Sequence, residues 1–239
     1  SVTSNAVGDH VTYTLNVPQA GSYAVTVRDR VAYNKGIYQL SIGGVNQGSP
    51  VDQYFDGTGF RETRLGDVIF TTSGNKLFRF QVTGKNGSSD GFALGFDYID
   101  LSRNYLECED LPTTNSQYDT NTDYSTSGAS KGKYNGANLN AEGDYVEYTV
   151  NVAEAGTYTL YVMDRIAANK GIYQLTIDGV DQGDPVDQYS AGAGFRETKF
   201  DSVTFSTAGN KLFRFTVIDA NGSSSGYALG FDYIDLVKN

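Results

Sequence analysis

The sequence contains the same unit twice. Residues 1–102 align with residues 136–237 without a gap, and 64 of the 102 aligned positions are identical. The segment NKGIYQL, for example, occurs at 34–40 and again 135 residues later. A period of 135 residues is the length of a domain and is far longer than the roughly 20 to 50 residues of a solenoid repeat. The sequence therefore predicts two domains of the same fold, at residues 1–102 and 103–239.

Each unit consists of short segments with the periodicity of β-strands. In VTYTLNV, residues 11–17, apolar and polar side chains alternate, which is typical of a strand with one buried and one solvated face. Similar segments follow along the chain and are separated by turn sequences such as QAGS and TSGN. Many short strands at this spacing predict an all-β fold with two tandem antiparallel β-sandwich, or jelly-roll, domains.

The second unit has a leader segment that the first unit does not have. The leader covers residues 103–135 and includes YLECED at 105–110, a motif that occurs once in the chain. A sandwich needs its first strand to cover the core. We therefore expect the first domain to lack its N-terminal strand segment, with the sequence starting inside a domain of a longer parent chain.

Charge and motifs limit the classes of function. The formal net charge is −10 and no cluster of Lys and Arg is present, which argues against nucleic acid and anionic membranes as partners. The longest apolar runs are far shorter than the roughly 20 residues of a membrane-spanning helix. A single His, a single Cys and the lack of known nucleophile or metalloprotease motifs argue against an enzyme. A composition rich in Tyr, Asn, Gly and Thr suits a secreted bacterial protein. The segment DTNTD, residues 119–123, is predicted to be a polar loop.

Carboxylates of the second unit are candidates for a metal site. Strand alternation in YLECED predicts Glu107 and Glu109 on one face, with Cα atoms about 7 Å apart, and Cys108 in the core. The segment GFDYIDL has apolar residues on both faces, which predicts a buried central strand carrying Asp232, or Asp97 in the first unit. A buried carboxylate needs a paired charge, a metal or bonds to backbone amides. The Glu pair is thus interpreted either as a Ca²⁺ ligand set with Asp232 or as the acid and base of a glycosidase.

The order of these segments resembles carbohydrate-binding modules of families 6 and 35. The resemblance rests on the acidic-x-acidic pair of Glu107 and Glu109, on GDYVEYTVNV, on the Gly-led hairpin GIYQLTIDGV, on AGNKLFRFTV and on the final GFDYIDL. It covers the second unit and all but the leader of the first. It implies a lectin-like β-sandwich attached to a polysaccharide-degrading enzyme. It also implies a structural Ca²⁺ held by Glu107, Glu109 and Asp232, with Asp97 as the only matching ligand in the first unit.

The same resemblance implies where a sugar would bind. It assigns one aromatic wall of a cleft to Tyr134 and the other to Phe195, with Phe60 as the equivalent in the first unit. It assigns a polar contact to Asn221, and to Asn86 in the first unit.

Two Gly-rich loops with the sequences VDQYFDGTGFRET and VDQYSAGAGFRET supply further candidate sugar contacts. An aromatic side chain covers the C–H face of a pyranose, and polar groups bond its hydroxyls. The alternative is a structural Arg and Glu pair with the Phe in the core. An Arg in the cleft suits an acidic sugar such as a uronate. The candidates in these loops and in the neighbouring DRVAYNKG and DRIAANKG segments are Tyr54, Arg61, Glu62 and Arg30 in the first unit, and Tyr189, Arg196, Glu197 and Arg165 in the second.

The predicted function is that of a non-catalytic tandem carbohydrate-binding module with structural calcium. It would direct a catalytic domain of the same secreted parent chain to a polysaccharide or oligosaccharide. Two alternatives remain open. One is a structural or adhesive spacer of a cell-surface protein, and the other is a glycoside hydrolase that uses Glu107 and Glu109.

Overall fold

The computed structural model describes residues 4–239, which form two compact units that meet at the Asn104 to Tyr105 peptide bond. The described part of the first unit contains seven strands: β1 His10–Val17, β2 Gly21–Ala32, β3 Gly36–Ile42, β4 Val45–Asp52, β5 Thr58–Phe70, β6 Gly74–Lys85 and β7 Phe96–Arg103. The second unit contains eleven: β8 Leu106–Glu107, β9 Thr113–Asn115, β10 Thr120–Ser125, β11 Lys133–Asn138, β12 Tyr145–Val152, β13 Gly156–Ile166, β14 Gly171–Ile177, β15 Val180–Asp187, β16 Gly194–Phe205, β17 Gly209–Ala220 and β18 Leu229–Lys238. All strand pairs within the sheets are antiparallel, which confirms the predicted all-β fold.

Each unit has two sheets. In the first unit the strand orders are β1-β6-β3-β4 and β5-β2-β7. In the second unit they are β15-β14-β17-β12-β9 and β10-β11-β18-β13-β16, and β8 adds to β18. The residues between Tyr105 and Asn138 thus contribute four strands, β8 to β11, that have no counterpart in the described part of the first unit. Helical structure between residues 4 and 239 is limited to two short 3-10 turns, Cys108–Asp110 and Ser130–Gly132, and no helix there is long and apolar enough to cross a membrane.

Alternating side chains put a separate apolar core inside each unit. Every second residue of β3 and of β14 is buried, as strand periodicity requires. The cores are rich in aromatic rings that meet edge to face, such as Tyr173 with Phe215 at a centroid distance of 5.2 Å. The hairpin between β14 and β15 turns at Asp178 and Gly179, whose φ values of 49° and 82° explain why Gly and a residue tolerant of positive φ stand there.

The last strand of each unit was predicted to be central and buried, and this is correct for one unit only. In the second unit, β18 lies between β11 and β13, and eight of its ten residues are buried. In the first unit, β7 pairs with β2, and no described residue of that unit pairs with its other edge. The side chain of Asp97 on β7 is therefore 43% exposed, because the strands that cover β18 belong to the leader of the second unit.

Two local predictions in the leader are wrong. YLECED is a strand only at Leu106 and Glu107, and the chain then turns through the 3-10 segment Cys108–Asp110. Cys108 is fully buried in the second core, as predicted. The segment DTNTD is not a polar loop, because residues from Thr120 onward form β10 and pair with β11.

Candidate functional site

Three carboxylates of the second unit meet at the junction of β8, the first 3-10 turn and β18. One oxygen from each of Glu107, Glu109 and Asp232 can be chosen so that all three lie within 4.8 Å of one another. Glu107 is 4% exposed and Asp232 is 2% exposed. Glu107 on β8 pairs with Tyr233 on β18, which puts the Glu107 carboxylate close to Asp232, the residue before Tyr233. The sequence thus predicted the right cluster, although a turn rather than strand alternation brings Glu109 to it.

Only a few groups offset the negative charge of this cluster. The backbone amide of Ser130 donates to both carboxylate oxygens of Asp232, at 3.1 and 2.9 Å, and its hydroxyl donates to Glu107. The Lys131 ammonium lies 3.6 Å from Glu107 Oε1 and is itself 66% exposed. Solvent screens such a cation, so it offsets little of the repulsion among three carboxylates.

The electrostatics of the cluster fit a bound cation. Burial raises the pKa of Glu109 to about 7, and the charges of Glu107 and Asp232 act in the same direction. Burial also raises the pKa of Asp232 to about 6. Glu109 Oε2 is buried and has no hydrogen-bond partner among residues 4–239. Carboxylate oxygens are the ligands that Ca²⁺ prefers, and a divalent ion would partner the free oxygen and remove the repulsion. The donor set therefore fits Ca²⁺.

In the first unit, the residue equivalent to Asp232 has a different partner. Asp97 Oδ2 lies 3.2 Å from Arg28 Nη1. The position of Arg28 is occupied by Met163 in the second unit. The only group of three candidate metal ligands among the described residues is the one in the second unit. A metal role for Asp97 thus stays a prediction, and the ion pair with Arg28 already supplies a counter-charge.

The sheet that contains β18 also carries a platform of three aromatic rings and one guanidinium, from the strands on both sides of β18. Tyr134 on β11 stacks on Tyr124 of β10 at a centroid distance of 5.4 Å, and it meets Phe195 edge to face at 5.7 Å. The Arg165 guanidinium lies over both Tyr134 and Phe195, at 5.4 and 5.1 Å from the ring centroids. We call Tyr124, Tyr134, Phe195 and Arg165 the aromatic platform. The sequence predicted three of its members.

Tyr124 is the member that the sequence did not reveal. It is 40% exposed and lies in β10, within a segment that is otherwise polar. A Cβ added at Gly136 would lie 2.5 Å from the Tyr124 ring, so the absence of a side chain there lets the ring lie flat on β11. The usable signal would have been an aromatic residue opposite another aromatic residue and diagonal to a Gly across a strand pair, which requires the pairing to be known.

A buried network of hydrogen bonds is centred on Asp164, the residue before Arg165. The adjacent Asp164 accepts hydrogen bonds from the side chains of Gln188 at 2.8 Å, Tyr173 at 3.1 Å and Thr198. Gln188 also bonds both backbone groups of Gly230, at 3.0 and 3.1 Å, which ties the Gly-rich loop to β18. Asp164 was not predicted from the sequence as part of the site. The signal is an acidic residue at an inward position of the alternating strand LYVMD.

A buried cation, Lys170, lies beside the partly buried Arg165. Lys170 is 6% exposed, and burial together with the charge of Arg165 lowers its pKa to about 8. A Cβ added at Gly230 would lie 2.9 Å from Arg165 Cβ and 3.0 Å from Lys170 Nζ. Any larger residue at Gly230 would displace one of these two side chains. The platform therefore depends on a glycine at that position.

The other predicted sugar contacts of the second unit have structural partners. Arg196 donates to the backbone carbonyl of Asp187, and Asn221 donates to the carboxylate of the same residue at 2.7 Å. Glu197 accepts a hydrogen bond from Tyr233 at 3.0 Å. These side chains hold the loop between β15 and β16 in place. The carboxylate of Asp187 also accepts a hydrogen bond from the backbone amide of Tyr189, at 2.8 Å.

The first unit repeats this loop but not the platform. Phe60 is 50% exposed and carries two guanidinium groups, from Arg28 and Arg30, at 5.0 and 5.1 Å from its centroid. No described residue of the first unit corresponds to Tyr124 or Tyr134, because these belong to the leader. The loop contacts are the same: Tyr54, Arg61 and Asn86 bond to Asp52, and Glu62 accepts a bond from Tyr98.

The chain is similar to solved structures of carbohydrate-active proteins at low sequence identity. A family 35 carbohydrate-binding module from Clostridium thermocellum is 26% identical, with 56% of this chain and 98% of the module covered and a TM-score of 0.41. The CBM36-1 domain of a multidomain xylanase from the hindgut metagenome of Trinervitermes trinervoides is 22% identical, with 56% of this chain and 94% of that domain covered and a TM-score of 0.39.

A longer structure is similar to nearly the whole chain. A Paenibacillus xanthan lyase is 27% identical over 99% of this chain, with a TM-score of 0.44. The chain spans only 23% of the length of that lyase. No protein-family profile and no curated protein sequence matches the chain.

Proposed function

We propose that the chain is a non-catalytic carbohydrate-binding protein whose second unit binds sugar at the aromatic platform. It serves a polysaccharide-degrading enzyme that is secreted, with a catalytic domain in the same parent chain. The observation that carries the proposal is the grouping of Tyr124, Tyr134 and Phe195 with Arg165 on one partly exposed surface. The exposed parts of these rings offer apolar surface to the C–H face of a pyranose, and the guanidinium that lies over two of them adds fixed donors.

The guanidinium favours an acidic sugar. Arg165 uses one nitrogen to donate to the Gly194 carbonyl at 3.0 Å, which fixes its plane over the rings. The ammonium of the buried Lys170 lies close enough to Arg165 for the two positive charges to interact. A carboxylate can form a bidentate bond with a guanidinium held in this way. We therefore infer that a uronate is bound more tightly than its neutral counterpart.

The carboxylate cluster serves stability in this proposal, as the ligand set of a structural Ca²⁺. Its burial argues against the glycosidase interpretation. Glu107 is 4% exposed and lies under Ser130 and Lys131, so a sugar ring could not reach it without displacing the leader. An acid and base pair of a glycosidase flanks the scissile bond and stands open to the substrate.

The test is a panel of neutral and acidic polysaccharides in affinity gels, each run with calcium and with EDTA. We expect retardation on at least one polysaccharide. Phe195→Ala should weaken binding by about tenfold or more, because it removes a ring of the platform and the ring that holds the Arg165 guanidinium. The matched control is Phe60→Ala, which removes the same residue from the unit without the Tyr134 wall and should change affinity less.

Arg165→Gln separates the sugar class from the platform itself. It should weaken binding of uronate-containing polymers more than binding of neutral ones. Equal losses would remove the uronate inference and leave the platform. Absence of retardation on every polysaccharide would favour the spacer function, and release of reducing sugar by the purified chain would identify an enzyme.

A further inference from the structure

Three loops at one end of each unit share a backbone arrangement but carry different side chains. In the first unit the amide of Phe55 donates to the Ala32 carbonyl at 3.2 Å, and the amide of Asp90 donates to the Tyr33 carbonyl at 3.0 Å. The second unit repeats both bonds, at 3.1 and 2.9 Å. These bonds join the β2–β3, β4–β5 and β6–β7 loops of the first unit. We call Tyr33, Phe55, Asp56 and Asp90 the loop surface.

Two aromatic rings of the loop surface are open to solvent. Tyr33 is 52% exposed and Phe55 is 51% exposed. Among residues 4–239 no second ring and no cation packs on either of them, in contrast to Phe60, which carries two guanidinium groups. A Cβ added at Gly57 would lie 3.1 Å from the Phe55 ring, so this glycine leaves room for the ring beside the loop. Both rings therefore offer free faces to a ligand.

The fold does not require these rings. The equivalents of Tyr33 and Phe55 are Ala168 and Ser190, and the second unit forms the same loop bonds with them. Ala168 is exposed and Ser190 is partly exposed in the unit that has the leader. The leader thus leaves these positions open, and the exposure of the two rings does not depend on it. Exposed aromatic side chains on loops, which the same fold forms without, indicate a binding surface.

The charges of the loop surface select the class of ligand. Asp56 and Asp90 are exposed carboxylates, and the second unit has Ala191 and Ser225 in their places. A carboxylate accepts hydrogen bonds from the hydroxyl groups of a sugar or from the ammonium group of an amino sugar, and it repels the carboxylate of a uronate. Aromatic rings cover the C–H face of a pyranose. A sugar without an acidic group fits both features.

From these observations we propose that the loop surface of the first unit is a second carbohydrate-binding site, which takes neutral or amino sugars rather than uronates. Tyr33 and Phe55 cover the C–H faces of the sugar rings, and Asp56 and Asp90 accept bonds from hydroxyl or ammonium groups. The inference rests on the proposed function, which makes carbohydrate the ligand of the chain. It adds a site in the other unit and a sugar class opposite to that of the aromatic platform.

The test is calorimetric titration of the full chain with hexasaccharides of three classes. The neutral class comprises the oligomers of xylose, mannose and glucose, the amino class is the oligomer of glucosamine, and the acidic class is the oligomer of galacturonate. We expect at least one neutral or amino hexasaccharide to bind. Phe195→Ala, which disables the platform, should weaken binding of the galacturonate oligomer and leave this binding in place.

Two substitutions that introduce the residues of the second unit test the rings. Tyr33→Ala and Phe55→Ser, each made in the Phe195→Ala chain, should weaken binding of the neutral or amino sugar by about tenfold or more. The matched control is Ile69→Thr, which also introduces the residue of the second unit. Ile69 is 65% exposed and pairs with Ser22 at the far end of the β2–β5 pair, so its replacement should leave binding unchanged.

A variant of the carboxylates tests the sugar class. Asp56→Ala combined with Asp90→Ser should weaken binding of the glucosamine oligomer by about tenfold or more, and it should not weaken binding of the galacturonate oligomer. The ring substitutions leave the net charge of the chain unchanged. Non-specific attraction of the glucosamine oligomer to an acidic protein would therefore persist in Tyr33→Ala and Phe55→Ser, and it would overturn the proposal.

The outcomes separate this site from the platform. The melting transition of the first unit is recorded for each variant, and the combined Asp56 and Asp90 variant, which alters only exposed side chains, decides if a ring variant loses the transition. No binding of a neutral or amino hexasaccharide, or equal binding with and without the rings, would overturn the loop surface and leave the platform. Unchanged galacturonate binding in Phe195→Ala would count against the platform and leave the loop surface.

Discussion

Strands β7 and β18 have almost the same sequence and different surroundings. The residues GFDYIDL are identical at 95–101 and 230–236. In the second unit Phe231 and Ile234 are fully buried, whereas their equivalents Phe96 and Ile99 are only partly buried. The leader covers β18 in the second unit, whereas among residues 4–104 β7 has β2 as its one neighbour in the sheet. The same strand sequence is therefore compatible with a buried and with a partly exposed position, and the neighbouring segments determine which of the two it has.

The largest expected change in stability comes from truncating the same isoleucine side chain in β7 and in β18. Ile234→Ala should destabilise the second unit by about 2 to 5 kcal/mol, because it leaves a cavity in a closed core. Ile99→Ala should destabilise the first unit by less than half as much, because solvent already reaches that site. Calorimetry of the full chain would follow the two transitions. Equal losses would mean that β7 is covered in solution.

Removal of calcium should affect one unit only. With calcium at about a hundred times its dissociation constant, a ligand that binds only the folded state adds about 2.7 kcal/mol. EDTA should therefore lower the melting temperature of the second unit by several degrees and leave the first unit unchanged. Glu109→Gln should abolish this response, while Asp97→Asn should not affect it. An EDTA-insensitive second transition in the parent chain would rule out the structural ion.

A pH-dependent prediction concerns a feature that the two units share. Burial raises the pKa of Asp164 to about 6, and it also raises the pKa of the equivalent Asp29. A carboxyl whose pKa is higher in the folded state stabilises that state while it is protonated. This contribution is lost as the pH rises from about 4 through 6. The second unit should therefore lose on the order of 2 kcal/mol relative to Asp164→Asn over that range.

This titration is best measured by denaturant unfolding in constant calcium, with Asp29→Asn as the corresponding variant of the first unit. The difference between each variant and the parent chain cancels the other carboxyl groups. A pH-independent difference in the second unit would mean that Asp164 is ionised throughout the range. The first unit should shift in the same direction.

The smallest expected effect is that of the ion pair in the first unit. Arg28 and Asp97 are 41% and 43% exposed, so solvent screens their attraction. Arg28→Met, which gives the first unit the residue of the second, should change its unfolding free energy by less than about 1 kcal/mol. A loss well above this value would indicate that the stacking of Arg28 on Phe60 and Tyr98 contributes more than the charge.

The sequence was sufficient for features that depend on local periodicity. Alternation in VTYTLNV predicts a strand with one face toward the core; that face is partly buried in β1 and buried in its copy β12. The meeting of Glu107, Glu109 and Asp232 could also be predicted. A buried Asp232 needs a partner, and the family resemblance implies that the glutamates of the leader and this residue hold one ion. The predicted extended path through YLECED was wrong at Cys108, because a single strand period cannot reveal a turn that buries a thiol and keeps both glutamates together.

Features that depend on strand neighbours could not be predicted from one unit alone. The exposure of β7 follows from which strands flank it, and its sequence is the same as that of the buried β18. Tyr124 belongs to the platform only because β10 pairs with β11, which puts Tyr124 opposite Tyr134 and its ring next to Gly136. The inward Asp164 was readable in principle, but its three donors lie on other strands and in a distant loop.

The reactivity of the single thiol of the chain can be used to measure how often the leader opens. Cys108 is fully buried, and burial raises the pKa of its thiol well above the usual range. A thiolate-seeking reagent can therefore attack it only after the leader has lifted from the second core. The rate of alkylation under native conditions reports how often this opening occurs. It requires no label and no substitution, and it should slow when a cation or a sugar holds the leader closed.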